Sequence, residues 1–160
     1  MKHYAILFLM FLMTISFCQA QKIKVFNPAA NAREDLLKAI ELAKKTDRHV
    51  LVKIGYNQCP WCIKLYHFLN EDLEIDSLLK ADYVIIKVNY SKENRNADVM
   101  ESLGFPQRFG FPVLVILDEK GKRLNTQNTL YLEKDKSYDR KLIINFLKAW
   151  NRQAIDPGNY

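Results

Sequence analysis

Short apolar runs rich in β-branched residues mark the strands that this chain is predicted to form. They lie at residues 23–26, 50–56, 83–88, 113–117 and 122–125. The middle runs have few polar positions, which is typical of strands that are buried on both faces of a sheet. The turn Asp118-Glu119-Lys120-Gly121 separates the last two runs and predicts an antiparallel hairpin.

Between these runs, apolar residues recur every three or four positions and predict helices. The first helix is predicted to begin with Asn27 as its cap and Pro28 at its first position. Further helices are predicted over residues 63–70, around 75–79, over 94–103 and over 138–152, with a polar insert at 125–137. The last helix is expected to bury Leu142, Ile143, Phe146, Leu147 and Trp150. Strands that alternate with helices and end in a hairpin predict an α/β sandwich with a mixed central sheet.

The first twenty residues have the pattern of an export signal. A basic start at Lys2 precedes an apolar stretch over residues 4–17, and small residues lead to Ala20. We therefore expect cleavage after Ala20, a mature domain of residues 21–160 and a periplasmic location. Two alternatives stay open: an uncleaved membrane anchor that faces the periplasm, and lipid attachment at Cys18, against which the bulky Phe17 argues.

Composition and charge narrow the class of protein. The chain is 49% hydrophobic and 26% charged, an ordinary globular composition, and its 160 residues suit one domain. Its net charge of +6 comes from basic residues scattered among acidic ones, without a stripe of arginines and aromatics. This distribution argues against nucleic-acid binding. We predict a monomer whose partners are other exported proteins.

The stretch Cys59-Pro60-Trp61-Cys62 carries the candidate chemistry. Cleavage of the signal leaves these two cysteines alone in the mature chain, at the junction of a predicted strand and helix. A helix N-terminus favours a thiolate and lowers the pKa of Cys59 below its usual value of about 8.5. Pro60 suits the first helical position.

A structural disulfide and a zinc site are two other uses of such cysteines. A structural disulfide closing so short a ring would constrain the unfolded chain very little. A zinc site needs further ligands, and His49 and His67 supply no second ligand pair. We therefore predict no metal and no cofactor beyond a redox-active disulfide between Cys59 and Cys62.

The chain resembles the thioredoxin-fold superfamily, and more narrowly its exported thiol:disulfide interchange proteins. The resemblance covers residues 25–152 and is carried by Cys59-Pro60-Trp61-Cys62, by Gly110-Phe111-Pro112 before a later strand, and by the final hairpin and helix. It implies a three-layer sandwich and a cis bond before Pro112, close to the cysteines. It also implies that the backbone of Phe111 receives a substrate strand.

Two positions depart from the thioredoxin pattern. Thioredoxins have a buried aspartate where this chain has Lys53, and a tryptophan where it has Gln58. Lys53 is either a redox-tuning cation that lowers thiol pKa values or a side chain that snorkels to solvent at a strand edge; both interpretations stay open. Trp61 replaces the histidine that would favour a strong oxidant, and this favours a reductase or an interchange protein.

The resulting hypothesis is a thiol-disulfide oxidoreductase in which Cys59 attacks a partner disulfide and Cys62 resolves the mixed disulfide. Trp61, Phe111 and Pro112 are the predicted substrate contacts, joined by Tyr56 unless that ring belongs to the core. The electron donor is expected to be membrane-bound or another thiol protein.

The sequence also allows other functions for this domain, and its remaining titratable residues near the cysteines are interpreted as surface residues. A disulfide oxidase or isomerase is one alternative, and a non-catalytic binding or chaperone module that grips a partner through Phe111 and residues 130–132 is another. His67 is interpreted as a surface residue. The acidic residues Asp72, Glu74 and Asp76 are interpreted as a solvated face.

Overall fold

The computed structural model describes residues 23–160, so the predicted signal, its cleavage site after Ala20 and Cys18 lie outside the described residues. The elements are α1 (Ala32–Thr46), β1 (His49–Gly55), α2 (Pro60–Glu71), α3 (Leu73–Asp82), β2 (Tyr83–Asn89), α4 (Ala97–Ser102), β3 (Val113–Leu117), β4 (Arg123–Asn128), β5 (Glu133–Lys134), β6 (Ser137–Tyr138) and α5 (Arg140–Ala149). Single 3₁₀ turns occur at Pro106–Phe109 and Thr129–Leu132.

The four long strands form one mixed sheet in the order β2-β1-β3-β4. β1 is parallel to β2 and antiparallel to β3, and β4 returns antiparallel to β3 as the hairpin signal predicted. All seven residues of β1 are buried, because the strand has a neighbour on each side and helices on both faces. The end of β1 is therefore the rigid centre from which the following motif leaves the sheet.

Helices cover both faces of the sheet and complete the predicted three-layer sandwich. Alternate residues of β1 point to opposite faces. Val50, Val52 and Ile54 pack with the apolar faces of α1 and α4, whereas Leu51 packs with those of α2, α3 and α5. The fold class and the mixed sheet are confirmed.

The N-terminal segment differs from the prediction. Residues 23–26 form no strand, and helix α1 begins at Ala32 rather than after Asn27. The reason is local competition between two asparagines. The Asn27 side chain accepts from Ala29 N and closes a turn, while Asn31 accepts from Glu34 N and caps the helix.

Three other boundaries also differ from the prediction. Helix α4 spans only Ala97–Ser102, because the Asn94 side chain is used outside the helix and donates to Pro28 O. Helix α5 spans Arg140–Ala149, since Asp139 caps it by accepting from Leu142 N at 3.0 Å. Residues 125–128 of the predicted polar insert extend β4, and the rest of the insert forms the 3₁₀ turn and most of the β5–β6 hairpin.

The buried face of α5 is rotated slightly from the predicted one. Ile143, Phe146 and Leu147 are buried as expected, and Trp150 is partly buried. Leu142 was predicted to be buried, but it is 40% exposed, and Ile144 takes a place in the core instead. The helix therefore still presents one apolar stripe to the sheet.

Candidate functional site

The two cysteines lie where β1 ends and α2 begins. Cys59 is the N-cap of α2, and its Sγ accepts a hydrogen bond from Cys62 N at 3.1 Å. Pro60 occupies the first turn, where its missing N–H leaves no bond unmade. Cys59 and Cys62 are joined by a disulfide, with their Cα atoms 5.2 Å apart. In the reduced protein the same N–H group and the helix dipole would favour a thiolate at Cys59.

The two sulfurs have different surroundings. Cys62 is 2% exposed and lies against Gly55, where an added Cβ would come within 2.7 Å of the Cys62 Sγ. Phe26 closes the same space from the N-terminal segment. Cys59 is 5% exposed, and its Sγ lies 3.7 Å from Phe111 O in the loop before β3. The arrangement encloses Cys62 and directs Cys59 toward this loop.

The loop before β3 has the cis bond that the resemblance implied, between Phe111 and Pro112. Gly110 precedes it with φ +83°, a backbone conformation that side chains rarely adopt. Pro112 is buried, and its carbonyl oxygen accepts from Thr129 Oγ1 at 2.7 Å. The loop is thus tied to the turn after β4 on one side and borders Cys59 on the other.

The predicted aromatic contacts divide into two groups. The rings of Tyr56 and Phe111 meet edge to face at 5.7 Å. Trp61 packs instead against Tyr138, with ring centroids 5.5 Å apart, and the Lys64 Nζ lies 4.4 Å from its centroid. The Tyr138 hydroxyl also donates to Trp61 O at 3.2 Å. All three predicted rings border the cysteines, but Trp61 is half-buried by the β5–β6 hairpin.

Lys53 lies in the middle of the sheet, so the strand-edge interpretation is wrong. Its register partners are Lys87 on β2 and Leu114 on β3, and it is only 9% exposed. Residues two apart on a strand share a face, so the Lys53 side chain lies on the face where Gly55 meets Cys62, about 7 Å away along the strand. Burial, followed by repulsion from Lys87, lowers the pKa of Lys53 from 10.5 to about 8.

The Lys53→Met variant should therefore be more stable than the wild type at neutral pH. Below about pH 8 the folded protein has a buried ammonium that the unfolded chain solvates freely, a penalty of about 3 kcal/mol. Between about pH 8 and pH 10.5 the unfolded state binds more protons, so wild-type stability should rise with pH. Urea unfolding at pH 7 and pH 9.5 measures both effects.

The control for this prediction is Lys87→Met, which removes the exposed register partner of Lys53. This variant should raise the pKa of Lys53. The stability of the protein should therefore still rise with pH, but the rise should begin at a higher pH. A Lys53→Met variant that is less stable than the wild type at pH 7 would contradict the prediction.

The remaining titratable residues near α2 have structural roles. His67 is on the surface, with Nδ1 2.8 Å from Glu71 Oε1. Asp72 is more than part of a solvated face, because it caps α3 by accepting from the backbone N–H groups of Glu74 and Ile75. A hydrogen bond from Arg140 is the main reason why the pKa of Asp72 is lowered.

Sequence reasoning missed the segment that covers Cys62. Phe26 is 3% exposed and packs in one cluster with both cysteines. Asn57 holds this segment through two bonds: its Oδ1 accepts from Phe26 N at 2.9 Å, and its Nδ2 donates to Phe26 O at 2.7 Å. No sequence signal marks this pair, because the two residues are 31 positions apart and Asn57 is also an ordinary loop residue.

Replacing Asn57 with alanine should destabilise the protein by about 1–3 kcal/mol, because two partly buried backbone groups of Phe26 lose their partners. The reduced Cys62 should also react faster with a small alkylating reagent. Asn145→Ala, at an exposed position of α5, is the control and should stay within about 0.5 kcal/mol. Equal stability of the two variants, measured by urea unfolding, would be incompatible with this role of Asn57.

Residues 23–160 contain neither a group of three side chains able to hold a metal ion nor a helix long and apolar enough to cross a membrane.

Comparisons with known proteins agree with the geometry. No curated protein matches the chain. A disulphide isomerase from Xylella fastidiosa Temecula1 superposes with a TM-score of 0.70 at 21% identity, covering 79% of this chain and 95% of that one. A structure described as DsbH oxidoreductase gives 0.55 at 16% identity, covering 85% and 92%. A thioredoxin from Thermus thermophilus gives 0.50 at 22% identity, covering 70% and 80%.

These structures share the fold of this chain. Residues 31–155 match the family model Thioredox_DsbH, described as a protein of unknown function, DUF255. The match includes both cysteines, the cis-proline loop and all four long strands. The chain therefore belongs to this thioredoxin-like DsbH family.

Proposed function

We propose that Cys59 and Cys62 are the catalytic pair of a thiol-disulfide oxidoreductase that reduces or exchanges disulfides of exported proteins. The observation that carries the proposal is the contrast between the two sulfurs. Both cysteines are buried, but the Cys59 Sγ caps a helix and lies beside Phe111 O in the cis-proline loop, whereas Cys62 is enclosed by Gly55 and Phe26. Such a pair supplies an activated nucleophile and a protected resolving thiol.

The reaction follows from this order. The Cys59 thiolate attacks one sulfur of a partner disulfide, and the other partner sulfur leaves as a thiolate that takes up a proton. Cys62 then loses its proton and attacks the Cys59 Sγ, which releases the second partner thiol. The partner has gained two electrons, and the protein holds the Cys59–Cys62 disulfide. The reverse sequence oxidises a dithiol partner.

Neighbouring residues have supporting roles in this proposal. The backbone of Phe111, beside Pro112, receives the partner chain close to Cys59, while Trp61 packs against the cluster that contains the two cysteines. Pro60 sets the helix start that activates Cys59. As a buried cation, Lys53 lowers the thiol pKa values of the cysteine pair. In its deprotonated form, its amine is a candidate acceptor for the Cys62 proton.

The direction proposed is reduction or exchange. Trp61 offers only an apolar ring and one N–H group near Cys59, so it stabilises the thiolate less than a histidine would. Lys53 acts in the opposite sense, since a cation stabilises a thiolate and raises the reduction potential. A redox titration of the Cys59–Cys62 pair shows whether the effect of Trp61 or that of Lys53 is larger. The proposal requires a reduction potential well below about −120 mV, the value of a strong periplasmic oxidant.

The activity is tested by the reduction of insulin with dithiothreitol as the electron source. Wild type should accelerate precipitation of the insulin chains, and Cys59→Ser should not. Equal rates for the two proteins would refute the enzyme proposal.

A second candidate is a non-catalytic binding module. The observation that favours it is the exposed pair Leu130 and Tyr131, 62% and 73% exposed, directly after the Thr129 that bonds to the cis-proline loop. This candidate predicts that wild type and Cys59→Ser bind partners equally well and are both inactive with insulin.

The proposed setting is the periplasm, after removal of residues 1–20, with a membrane-bound or other thiol protein as the electron donor. A membrane-anchored form facing the periplasm is the alternative. The N-terminal sequence of the protein recovered from the producing cell should begin at Gln21. If the recovered protein retains residues 1–20 or carries a lipid on Cys18, it is anchored to the membrane and the proposed cleavage after Ala20 is wrong.

A further inference from the structure

A cavity of about 560 Å³ opens beside Phe111, between the residues that follow β1 and those that follow β2. Three aromatic rings form its wall: Phe111 lies between Tyr56, whose ring meets it edge to face at 5.7 Å, and Tyr90, whose ring is tilted by 30° at 5.0 Å. We propose that this cavity is a side-chain subsite, which selects partner segments with a large apolar or aromatic residue next to an acidic residue near the reactive cysteine.

The inference rests on the proposed function and adds a substrate class to it. A cavity of this volume is within the range that holds an organic ligand. Its walls offer ring faces and edges that suit an aromatic side chain. Tyr56, Tyr90 and Phe111 are each only partly buried, so a bound side chain would cover apolar surface that is now open to water.

Three charged side chains lie at the rim of the cavity: Lys92, Glu93 and Arg95. Lys92 and Arg95 are exposed, and neither has an ion-pair partner among residues 23–160. Glu93 lies on the same rim and keeps its negative charge: a hydrogen bond from Ser91 is the main reason why the pKa of Glu93 is lowered, and the charge of Lys92 also contributes. Two cations against one carboxylate leave the rim with a net positive charge, which complements an acidic residue beside an apolar one.

The cavity is continuous with the proposed catalytic site. Phe111 belongs to both, because its ring lines the cavity while its carbonyl oxygen lies 3.7 Å from the Cys59 Sγ. A second cavity of about 210 Å³ shares Gln58, Ser91 and Glu93 with the first and continues toward Lys24. An extended partner chain with its cysteine at Cys59 would therefore place a nearby side chain in the first cavity.

The test uses short peptides whose single cysteine is linked by a disulfide to thionitrobenzoate. The reduced protein attacks the peptide sulfur with Cys59, forms the mixed disulfide and releases coloured thionitrobenzoate as a thiolate. Phenylalanine next to aspartate is moved through three positions on each side of the cysteine. Two sets of reference peptides carry serine next to asparagine, or phenylalanine next to asparagine, in place of this pair. Dithiobis(nitrobenzoate), a small disulfide without a peptide, is the control that measures the reactivity of the cysteines alone.

At one of these positions the Phe-Asp peptide should react about tenfold faster than its Ser-Asn reference, the effect of filling one apolar subsite. Tyr90→Ser should remove most of this ratio. Arg95→Glu should invert the preference for aspartate over asparagine next to phenylalanine. Lys120→Glu, an exposed charge reversal on the β3–β4 turn, is the matched control and should change neither ratio.

The outcomes separate the two proposals. No reaction with any disulfide, including the small one, would overturn the proposed function. Reaction without a Phe-Asp preference at any position would overturn the subsite alone. Loss of rate in Tyr90→Ser that is equal for peptides and for the small disulfide would assign Tyr90 to holding the cysteines and would also overturn the subsite.

Discussion

Replacing Cys62 with serine should turn the protein into a trap for its partners. Cys59 keeps its place as the cap of α2, so the thiolate can still attack a disulfide and form a mixed disulfide. The serine hydroxyl cannot resolve this adduct. Multiple turnover with insulin should fall severely, since removal of a residue that acts as a unit with the nucleophile costs on the order of 10⁴- to 10⁶-fold in kcat in other enzymes. Covalent adducts should accumulate on non-reducing gels.

The paired control is Cys59→Ser, which should form no adducts because Cys62 is 2% exposed and lies behind Gly55 and Phe26. The asymmetry between the two variants is the decisive result. Equal trapping by both would mean that the sulfurs are equally accessible, contrary to their surroundings. Full turnover by Cys62→Ser would mean that Cys59 works alone.

Replacing Gly55 with alanine should destabilise the protein by overpacking the space around Cys62. The new Cβ would lie 2.7 Å from the Cys62 Sγ and 2.8 Å from the Phe26 Cζ, closer than real contacts of this kind. The end of β1 is held by pairing with β2 and β3, so Cys62 or Phe26 must move. Overpacking of this kind costs about 1–3 kcal/mol.

Urea unfolding of the oxidised and the reduced protein measures this loss, and a redox titration measures the displacement of Cys62. The potential of Gly55→Ala should differ from that of wild type, since the disulfide and the dithiol meet the new methyl group differently. Gly158→Ala, in the exposed C-terminal turn, is the control and should change neither quantity. Unchanged stability and potential in Gly55→Ala would show that the enclosure of Cys62 is loose.

The central strands could be predicted closely because burial on both faces leaves an unbroken apolar run. The observed β2 and β3 begin at the predicted residues 83 and 113, and β1 begins one residue early at His49. Helix ends were less accurate, because the same residue type can cap a helix or close a turn. Asn27 and Asn31 carry identical side chains, and only the second of them caps α1.

Residue identities also pointed to the redox pair, since two cysteines after an apolar strand and before a helix suffice to predict it. The partners of that pair were less accessible to sequence reasoning. The sequence left open whether Lys53 lies at a strand edge or acts as a redox-tuning cation, and the strands on both sides of β1 exclude the edge. Phe26 covers Cys62 because its backbone is bonded to Asn57, which is distant in sequence. Neither Phe26 nor Asn57 alone indicates this contact.

The sequence by itself therefore determined the class of fold, the order of its main elements and the location of Cys59 and Cys62 at a helix start, because these follow from local periodicity and backbone chemistry. Only the tertiary structure showed that Gly55 and Phe26 enclose Cys62, that Lys53 is buried beside Lys87, and that Tyr56, Tyr90 and Phe111 meet around one cavity. The physical reason is that burial, and with it pKa and access, depends on segments that meet only after the sheet has formed.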